Sequence, residues 1–433
     1  MRSVGLYTLG CKVSQYETEA IGEAFEARGF TVLPFDAVCD AYVINTCTVT
    51  AESDRKSRQM IRRAIQRNPE AVVAVVGCYS QRTPEELMKI EGVDVVLGTD
   101  KKLEVVGRVE KKLEDRTEEP YFCVEDLDKA QFEPMTVTKA PRTRAYVKIE
   151  DGCESRCTYC AIASARGRVR SKPPKDVIRE VEGLYASGTR EIVLTGIETG
   201  SYGKDFDVDY TLADLIVELD RRGSCERIRL GSLAPELIGK EFVDKVKGAK
   251  ILAPHFHLSI QSGSDKILRA MKRRYSRKMA LENIGYIKDN VPGACFTTDL
   301  MVGFPGEDEE DFLDTVSFAR EVGFIDAHVF AYSKRKGTPA ATYEHQVDES
   351  EKKRRSARLI EEKNRIRDGI LEGIVKEGKP LSVVLETYDR GCYSAHSDSF
   401  IEVSVEAPVG MHGEIVDVVP ISHENGVILA KLK

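Results

Sequence analysis

The sequence contains no long uninterrupted apolar run. No segment reaches the roughly 18 consecutive apolar residues that a membrane-spanning helix requires, so we expect no transmembrane helix. The start of the chain, residues 1–7, is too short and is followed too soon by polar residues to be a secretory signal peptide. We therefore expect a cytoplasmic protein without a membrane partner.

The sequence also lacks an excess of positive charge. Its 64 Lys and Arg residues are outnumbered by 71 Asp and Glu residues, which gives a net charge of −7 at pH 7. This balance argues against a protein that coats nucleic acid by bulk attraction, although it leaves room for a local basic surface. The chain does have eleven cysteines. In a reducing compartment they indicate metal or redox chemistry and not a disulfide scaffold.

Three of these cysteines, Cys153, Cys157 and Cys160, form a C-x3-C-x2-C run. The run follows an apolar, β-prone segment at 145–149 and an Asp-Gly turn signal, so we expect it in a loop at the carboxyl end of a strand. Three thiolates can bind three irons of a 4Fe–4S cluster and leave the fourth iron open. Structural zinc normally needs four protein ligands, and no His or further Cys lies nearby in sequence. Zinc and three unrelated buried thiols remain the alternatives.

The run, with Tyr159 before its last cysteine, resembles the signature of radical S-adenosylmethionine (SAM) enzymes. In that family the amino and carboxylate groups of SAM chelate the open iron. An electron from the cluster cleaves SAM to methionine and a 5′-deoxyadenosyl radical, which abstracts a hydrogen atom from the substrate. The resemblance implies SAM as cofactor and an electron donor of the flavodoxin or ferredoxin type.

A second group of thiols precedes this motif. Alternating strands and helices over residues 3–97 predict a parallel α/β sheet, and Cys11, Cys47 and Cys78 each follow a strand and precede a helix. Because ligands bind at the edge where parallel strands end, we expect these thiols to converge and to hold a second iron–sulfur cluster. The alternative is that each is simply a small apolar residue at a strand end.

Two three-cysteine sites in this order resemble the radical SAM methylthiotransferase family. The matching segments are residues 8–12 (TLGCK), 44–48 (INTCT) and 76–79 (VGCY), and Ser14 stands where many relatives have Asn. The resemblance implies two 4Fe–4S clusters and a sulfur source. In that family the second cluster delivers sulfur that one SAM methylates, while another SAM supplies the radical.

Six strand–helix units between residues 145 and 331 predict a partial (β/α) barrel with its chemistry in the loops after the strands. The strand-end motifs resemble the SAM-binding segments of the family, and no catalytic residue beyond the cluster cysteines is assigned. The resemblance gives these SAM-binding candidates: Tyr159, Gly196, Glu198, Ser232, Gln261 and Val302.

Basic residues form the candidate substrate surface. Arg55, Arg58 and Arg62 share a stripe of a predicted helix at 54–67; such a face is usually only solvated, but this one begins just after Cys47. The candidate substrate-binding residues are Arg166, Arg273 and Arg335, the last as partner for a substrate carboxylate.

Four short alternating strands after residue 380 predict a small β-barrel that resembles the TRAM domain, an OB-like RNA-binding module. From Ile370 onward the sequence has ten acidic and five basic residues, so we expect RNA binding to depend on a local basic surface or on the basic loops upstream. A charged helix at 348–367 is predicted as the connector.

The predicted organisation is therefore an α/β protein with an N-terminal sheet domain (1–120), a linker (121–140), a radical SAM barrel (141–368) and a TRAM-like domain (370–433). Residues 8–19 look most like the branch that methylthiolates C2 of threonylcarbamoyladenosine next to the anticodon of tRNA. Isopentenyladenosine in tRNA and a ribosomal-protein aspartate are the alternative substrates. A radical SAM enzyme without sulfur insertion and a non-catalytic zinc- and RNA-binding protein are the other hypotheses.

Overall fold

The chain begins with a six-stranded parallel sheet in the computed structural model, which describes residues 2–433. The strand order is β2-β1-β3-β4-β5-β6, and helices pack on both faces, so β3 and β4 are buried along their whole length. The strands are Ser3–Thr8 (β1), Thr31–Leu33 (β2), Ala41–Thr46 (β3), Val72–Gly77 (β4), Val95–Leu97 (β5) and Tyr121–Cys123 (β6). The helices are Lys12–Ala27 (α1), Ala51–Arg67 (α2), Cys78–Arg82 (α3), Pro84–Leu87 (α4) and Glu104–Glu114 (α5).

The segment predicted as a linker, residues 121–140, is partly ordered structure. Its first three residues are β6, which pairs in parallel with β5 at the edge of the sheet. Further along, Met135 and Val137 are buried against Tyr16 and Ala20 of α1. The linker prediction was therefore wrong for these parts, because a three-residue strand and two isolated apolar anchors leave little periodicity in a charged stretch.

The central part of the chain is a curved parallel sheet. The strands in this part of the chain are Arg144–Lys148 (β7), Glu150–Asp151 (β8), Arg170–Ser171 (β9), Glu191–Thr195 (β10), Arg227–Leu230 (β11), Ser232–Leu233 (β12), His255–Gln261 (β13), Cys295–Val302 (β14) and Asp326–Ala331 (β15). β7, β10 and β11 are hydrogen-bonded neighbours, and β12, β13, β14 and β15 continue the series, while β8 and β9 form a separate antiparallel pair. Since β12 prolongs β11 after Gly231, six strand positions curve around the interior, which confirms the predicted partial barrel.

Helices cover the outer face of this barrel. After the short helix Ile162–Arg166 (α6), which packs against α3 of the N-terminal domain, these helices are Pro174–Ala186 (α7), Leu212–Arg222 (α8), Lys240–Val246 (α9), Asp265–Ala270 (α10), Arg277–Asn290 (α11) and Glu309–Val322 (α12). Alternate residues of each strand, such as Ile192 and Leu194 of β10, pack into the main apolar core against these helices. The residues between them face the interior, where the charged side chains lie: Glu191 pairs with Arg144 and Arg229.

A 29-residue helix, Glu349–Glu377 (α13), joins the barrel to the C-terminal domain and extends ten residues beyond the predicted connector at 348–367. The C-terminal strands are Leu381–Asp389 (β16), Cys392–Ser397 (β17), Glu402–Glu406 (β18), Ile415–Glu424 (β19) and Val427–Leu432 (β20). They close into a barrel in the order β16-β17-β18-β20-β19. This confirms the predicted small barrel, with β17 as a fifth strand that the sequence pattern did not predict.

The C-terminal barrel docks against the amino-terminal ends of the central strands. Arg229 donates to the carbonyl oxygens of Ser397 and Asp398, at 3.0 and 2.8 Å. Phe400 stacks on His255, the first residue of β13, with ring centroids 4.8 Å apart. The C-terminal domain therefore lies at the end of the barrel opposite the loops that follow the strands. Within residues 2–433, no helix has the length and apolar character needed to cross a bilayer.

Candidate functional site

A cavity of about 380 Å³ opens at the carboxyl ends of the barrel strands. That volume lies within the usual range for sites that bind small molecules. Cys153, Cys157 and Cys160 all line it, together with Tyr159. The structure therefore brings the C-x3-C-x2-C run to the end of the barrel where the sequence placed the chemistry.

The loop that carries these thiols is fixed by its backbone. Gly152 has φ +93°, and a Cβ there would lie 1.8 Å from the carbonyl oxygen of Arg168, so only glycine fits before Cys153. All three thiols are free of disulfides. Burial raises the pKa of Cys160 to about 12, and deprotonating such a thiol calls for a metal or cationic partner. Beside another thiol of the run, the guanidinium of Arg273 lies 3.4 Å from the Cys157 sulfur.

Four of the six residues predicted to contact SAM line the cavity: Tyr159, Glu198, Ser232 and Gln261. Gln261 adopts φ +66°, and its side-chain oxygen is buried without a hydrogen-bond partner among the described residues. Burial raises the pKa of Glu198 to about 7, while its carboxylate accepts the backbone N–H of Ala234. An orphaned amide oxygen and a carboxylate in one cavity suit a ligand that brings an ammonium and hydroxyl groups, as SAM does.

Gly196 and Val302 do not line the cavity. A Cβ at Gly196 would lie 2.5 Å from the Glu150 carboxylate, which in turn accepts the backbone N–H of Glu198. Gly196 thus shapes the turn that presents Glu198. Val302 is fully buried in the outer core, whereas its neighbour Met301 lines the cavity. The two side chains differ in this way because successive side chains of a strand point to opposite faces, and a SAM contact of Val302 stays a prediction.

One wall of the cavity, which the sequence did not predict, comes from the N-terminal domain. This wall consists of Val49 and Thr50, and the cavity is also lined by Phe330 in the last barrel strand and Ser333 just after it. The backbone N–H of Val49 also donates to the sulfur of Cys47, at 3.5 Å. The loop that carries one thiol of the second group is therefore part of the same cavity.

The second group of thiols meets at one edge of the N-terminal sheet. Cys47 follows β3, Cys78 begins α3 directly after β4, and Cys11 directly precedes α1. A Cβ at Gly10 would lie 3.1 Å from the Cβ of Cys47, so the loop after β1 passes directly over the loop after β3. Cys47 and Cys78 are buried, and Cys11 is exposed. Burial raises the pKa of Cys78 to about 11.

Neither thiol group has the geometry of a preformed site for a single ion. Among residues 2–433, no three His, Cys, Asp or Glu side chains surround one point closely enough to hold a metal ion. A tetrahedral zinc site with Zn–S bonds of about 2.3 Å brings its sulfurs to within about 4 Å of one another. Three thiols can instead each bind one iron of a 4Fe–4S cluster.

Two of the three predicted substrate-binding arginines are unavailable to a substrate. Arg166 is fully buried and donates to the sulfur of Cys78 at 3.1 Å and to Glu17 at 2.5 Å. Arg335 is also buried and binds Asp54 at 2.6 Å in the N-terminal domain. Only Arg273 lines the cavity. The error has one cause: the sequence shows where a cation stands but not which carboxylate the fold brings to it.

Exposed cations lie close in sequence to residues that line the cavity. Arg156 lies between two of the lining cysteines, Lys272 lies beside Arg273, and Lys334 and Lys336 follow the lining residue Ser333. Within residues 2–433, none of these four has a carboxylate within ion-pair distance; we call Arg156, Lys272, Lys334 and Lys336 the basic rim.

The basic stripe predicted on α2 is weaker than the sequence suggests. Arg55 pairs with Glu52, and Arg58 binds the hydroxyl of Tyr79 at 2.7 Å and lies 3.5 Å from Glu86. Only Arg62 of the stripe stays exposed without a carboxylate among the described residues.

Comparison with known proteins now identifies the family. Residues 147–319 match the family model described as the radical SAM superfamily, and residues 3–98 match the uncharacterized protein family UPF0004. A Bacillus subtilis protein named threonylcarbamoyladenosine tRNA methylthiotransferase MtaB is 42% identical over 424 residues, which cover 96% of this chain and 93% of that protein. The chain belongs to the radical SAM methylthiotransferase family.

Other similar proteins agree with this membership. A tRNA-2-methylthio-N(6)-dimethylallyladenosine synthase of Carboxydothermus hydrogenoformans is 34% identical, over 87% of this methylthiotransferase and 88% of that protein. Among solved structures, the radical SAM methyltransferase TsrM of Kitasatospora setae aligns with a TM-score of 0.58 at 18% identity, over 78% of this chain and 77% of that one. That likeness supports the fold. As a radical SAM enzyme, this methylthiotransferase binds SAM and a 4Fe–4S cluster.

Proposed function

We propose that this methylthiotransferase adds a methylthio group to C2 of threonylcarbamoyladenosine next to the anticodon of tRNA. The observation that carries the proposal is the shared cavity: it is lined by Cys153, Cys157 and Cys160 and also by Val49 and Thr50, which closely follow Cys47 in the loop after β3. A reaction that joins sulfur to a carbon activated by a radical needs both centres to face one substrate.

The two thiol groups would hold two clusters. Cys153, Cys157 and Cys160 would bind the cluster that holds SAM, and Cys11, Cys47 and Cys78 would bind the second. When bound, the first cluster and SAM supply radical chemistry, and the second supplies sulfur. The electron would come from a flavodoxin- or ferredoxin-type donor and the sulfur from an external source. Since its substrate is tRNA, we place the enzyme in the cytoplasm.

The residues around the first thiol group orient SAM. Burial raises the pKa of the Glu198 carboxyl to about 7. An ammonium group of the ligand beside this carboxyl would favour its charged form, so Glu198 suits an ammonium partner. Gln261 offers its unpartnered amide oxygen to a hydroxyl or N–H donor. Arg273 is held by the carbonyl oxygen of Ser259 at 2.7 Å, and its buried Nε has no partner among the described residues. A carboxylate that enters the cavity meets this guanidinium.

The basic rim binds the RNA in this proposal. Its four cations are exposed, lie close in sequence to residues that line the cavity and have no carboxylate partners among the described residues, so they are free to contact phosphates. The TRAM-like barrel lies at the opposite end of the central barrel, and the chain from Ile370 onward, which includes this barrel, has ten acidic and five basic residues. We therefore expect most of the electrostatic attraction for tRNA to come from the rim and little to come from the TRAM-like domain.

The branch of the family is the finer part of the proposal. It is supported by the 42% identity to a protein named for threonylcarbamoyladenosine, compared with 34% for one named for dimethylallyladenosine. Both relatives align along most of the chain, so a direct comparison of substrates decides between the two branches.

That substrate comparison tests the proposal. The purified enzyme, with its clusters reconstituted anaerobically, is incubated with SAM, reductant and sulfide and with tRNA carrying threonylcarbamoyladenosine, isopentenyladenosine or unmodified adenosine. Mass spectrometry of the nucleosides should detect the methylthio product only from the first tRNA. Product from the second alone would assign the enzyme to the other branch, and product from none would refute a tRNA substrate. Cys157→Ala should abolish the product, whereas the matched control Cys392→Ala, in the C-terminal barrel, should retain it.

A further inference from the structure

A fully buried network of charged side chains lies between the N-terminal domain and the barrel, with Arg166 at its centre. The carboxylate of Glu17 in α1 accepts hydrogen bonds from Lys102 at 2.7 Å, Lys148 at 3.0 Å and Arg166 at 2.5 Å. Asp151, directly before the loop of the first thiol group, pairs with Lys148 and Arg166, both at 3.2 Å. Every side chain named here is at most 4% exposed.

The sulfur of Cys78 completes the surroundings of Arg166. The Nε–H of Arg166 points to that sulfur at 3.1 Å, while its terminal nitrogens bind Glu17 and Asp151. Two carboxylates therefore hold the guanidinium plane on one side and leave its Nε edge for the thiol. A guanidinium stays protonated in proteins, so this edge always offers a donor and a positive charge.

The network holds more positive than negative groups in direct contact. Among the described residues, Lys102, Lys148, Arg166 and Arg170 face only the carboxylates of Glu17 and Asp151 within 4 Å. Buried cations need nearby counter-charge because they have lost their hydration. The group that Arg166 faces on its remaining side is a thiol, which provides that charge once it is a metal-bound thiolate.

We propose that Arg166 is a positioning residue of the second cluster: it orients the Cys78 sulfur and, through the Nε–H···S hydrogen bond, raises the reduction potential of the cluster that this sulfur binds. This inference rests on the proposed function, because the second cluster is part of it. Hydrogen bonds to the ligand sulfurs are one of the factors that set the potential of an iron–sulfur cluster. A fixed donor stabilises the reduced form more, since that form carries more negative charge on its sulfurs.

A purely structural role predicts something different. If Arg166 only joined the two domains, its removal would weaken the domain interface without changing the electronic state of the cluster. Arg170 provides the comparison, because it is buried in the same network, lies 3.7 Å from Asp151 and donates to the carbonyl oxygen of Arg166. Removing Arg170 deletes a cation but leaves the hydrogen bond from Arg166 to Cys78.

The experiment measures the second cluster alone. In a parent variant in which Cys153, Cys157 and Cys160 are all replaced by Ala, iron is determined and the reduction of the remaining cluster is followed by electron paramagnetic resonance during a redox titration. Arg166→Gln should lower the midpoint potential by an amount equivalent to about tenfold in the reduction equilibrium, or about 59 mV for one electron. Arg166→Lys keeps the charge without the Nε geometry, and we expect a smaller shift in the same direction.

Arg170→Gln is the matched control and should leave the potential near that of the parent. The inference would be overturned if the parent, Arg166→Lys and Arg166→Gln had equal midpoint potentials. It would also be overturned if Arg166→Gln and Arg170→Gln shifted the midpoint potential equally. Should Arg166→Gln fail to fold, the Arg166→Lys result decides alone. A parent variant that binds no iron would instead remove the second cluster and the proposed function with it, so the two failures are distinguishable.

Discussion

Replacing Glu17 by Gln should destabilise the enzyme more than any change to a surface carboxylate. Its side chain has no exposed surface and accepts hydrogen bonds from three cations, of which Lys148 and Arg166 belong to the barrel and Lys102 to the N-terminal domain. Gln has nearly the same shape but no charge. The substitution leaves three buried cations with too little counter-charge, and breaking a buried ion pair by neutralising one partner costs about 3–5 kcal/mol.

The pH dependence of this effect has a definite sign. Burial by itself raises the pKa of Glu17, but Arg166, Lys102 and Lys148 outweigh burial and hold that pKa well below its usual value of 4.5. The folded pKa is thus lower than the unfolded one, so the stabilisation is present above pH 4.5 and is lost as the pH falls toward the folded pKa. The difference between wild type and Glu17→Gln should be constant near neutral pH and should shrink only in acid.

Urea unfolding of the cluster-free protein measures the effect, with limited proteolysis of residues 121–140 as a second readout of domain separation. The control is Glu110→Gln on α5. Glu110 pairs with Arg28, whose side chain is 60% exposed, so this substitution should change the free energy of unfolding by less than about 1 kcal/mol. If Glu17→Gln and Glu110→Gln unfold at the same urea concentration, the buried network does not stabilise the domain interface and the reasoning is wrong.

Three further predictions concern the second thiol group, the rim and Arg335. Gly77 has φ +104°, and a Cβ there would lie 2.6 Å from the Thr46 carbonyl oxygen, so Gly77→Ala should displace Cys78 and reduce bound iron by about half. The control Gly107→Ala, at a position with open space around it, should keep the full amount of iron, and iron analysis of both variants tests this. The double variant Lys334→Ala, Lys336→Ala should weaken tRNA binding. It should also reduce the slope of log binding constant against log salt concentration by about 0.7–0.9 for each phosphate that is no longer neutralised. The control Lys431→Ala, Lys433→Ala should leave the affinity and the slope nearly unchanged, and binding titrations at several salt concentrations measure both. Arg335→Gln should lower the free energy of unfolding by about 1.5–3 kcal/mol because the hydrogen bonds of Arg335 to Asp54 and Thr48 are removed. The preference of the enzyme among modified tRNAs should not change. A changed preference would show that Arg335 contacts the substrate.

The fold was predictable wherever a strand had a strong apolar pattern. The apolar segment predicted at 145–149 coincides with β7 (Arg144–Lys148) to within one residue at each end. The missed strands have weaker patterns: β6 has three residues, and β17 alternates buried Tyr393 and Ala395 with polar residues in a short, serine-containing run. Short edge strands and small-barrel strands depend on pairing partners that local sequence does not contain.

The candidate site was predictable to the extent that it follows from chain order. The thiols lie at strand ends, and parallel strands bring their ends to one edge, so their convergence was expected from topology. Burial and pairing were not predictable in this way. Arg166 meets Glu17 across 149 positions of sequence, and Arg335 meets Asp54 across 281, so both looked like free cations in the sequence.

Nucleoside analysis of cellular tRNA tests the central claim most directly. The gene is deleted, tRNA is digested, and mass spectrometry compares the modified adenosines with those of the parent strain. We predict that methylthio-threonylcarbamoyladenosine disappears on deletion and returns with the wild-type gene but not with Cys157→Ala. An unchanged profile in a strain with no second enzyme of this family would contradict a tRNA substrate and would point to ribosomal proteins.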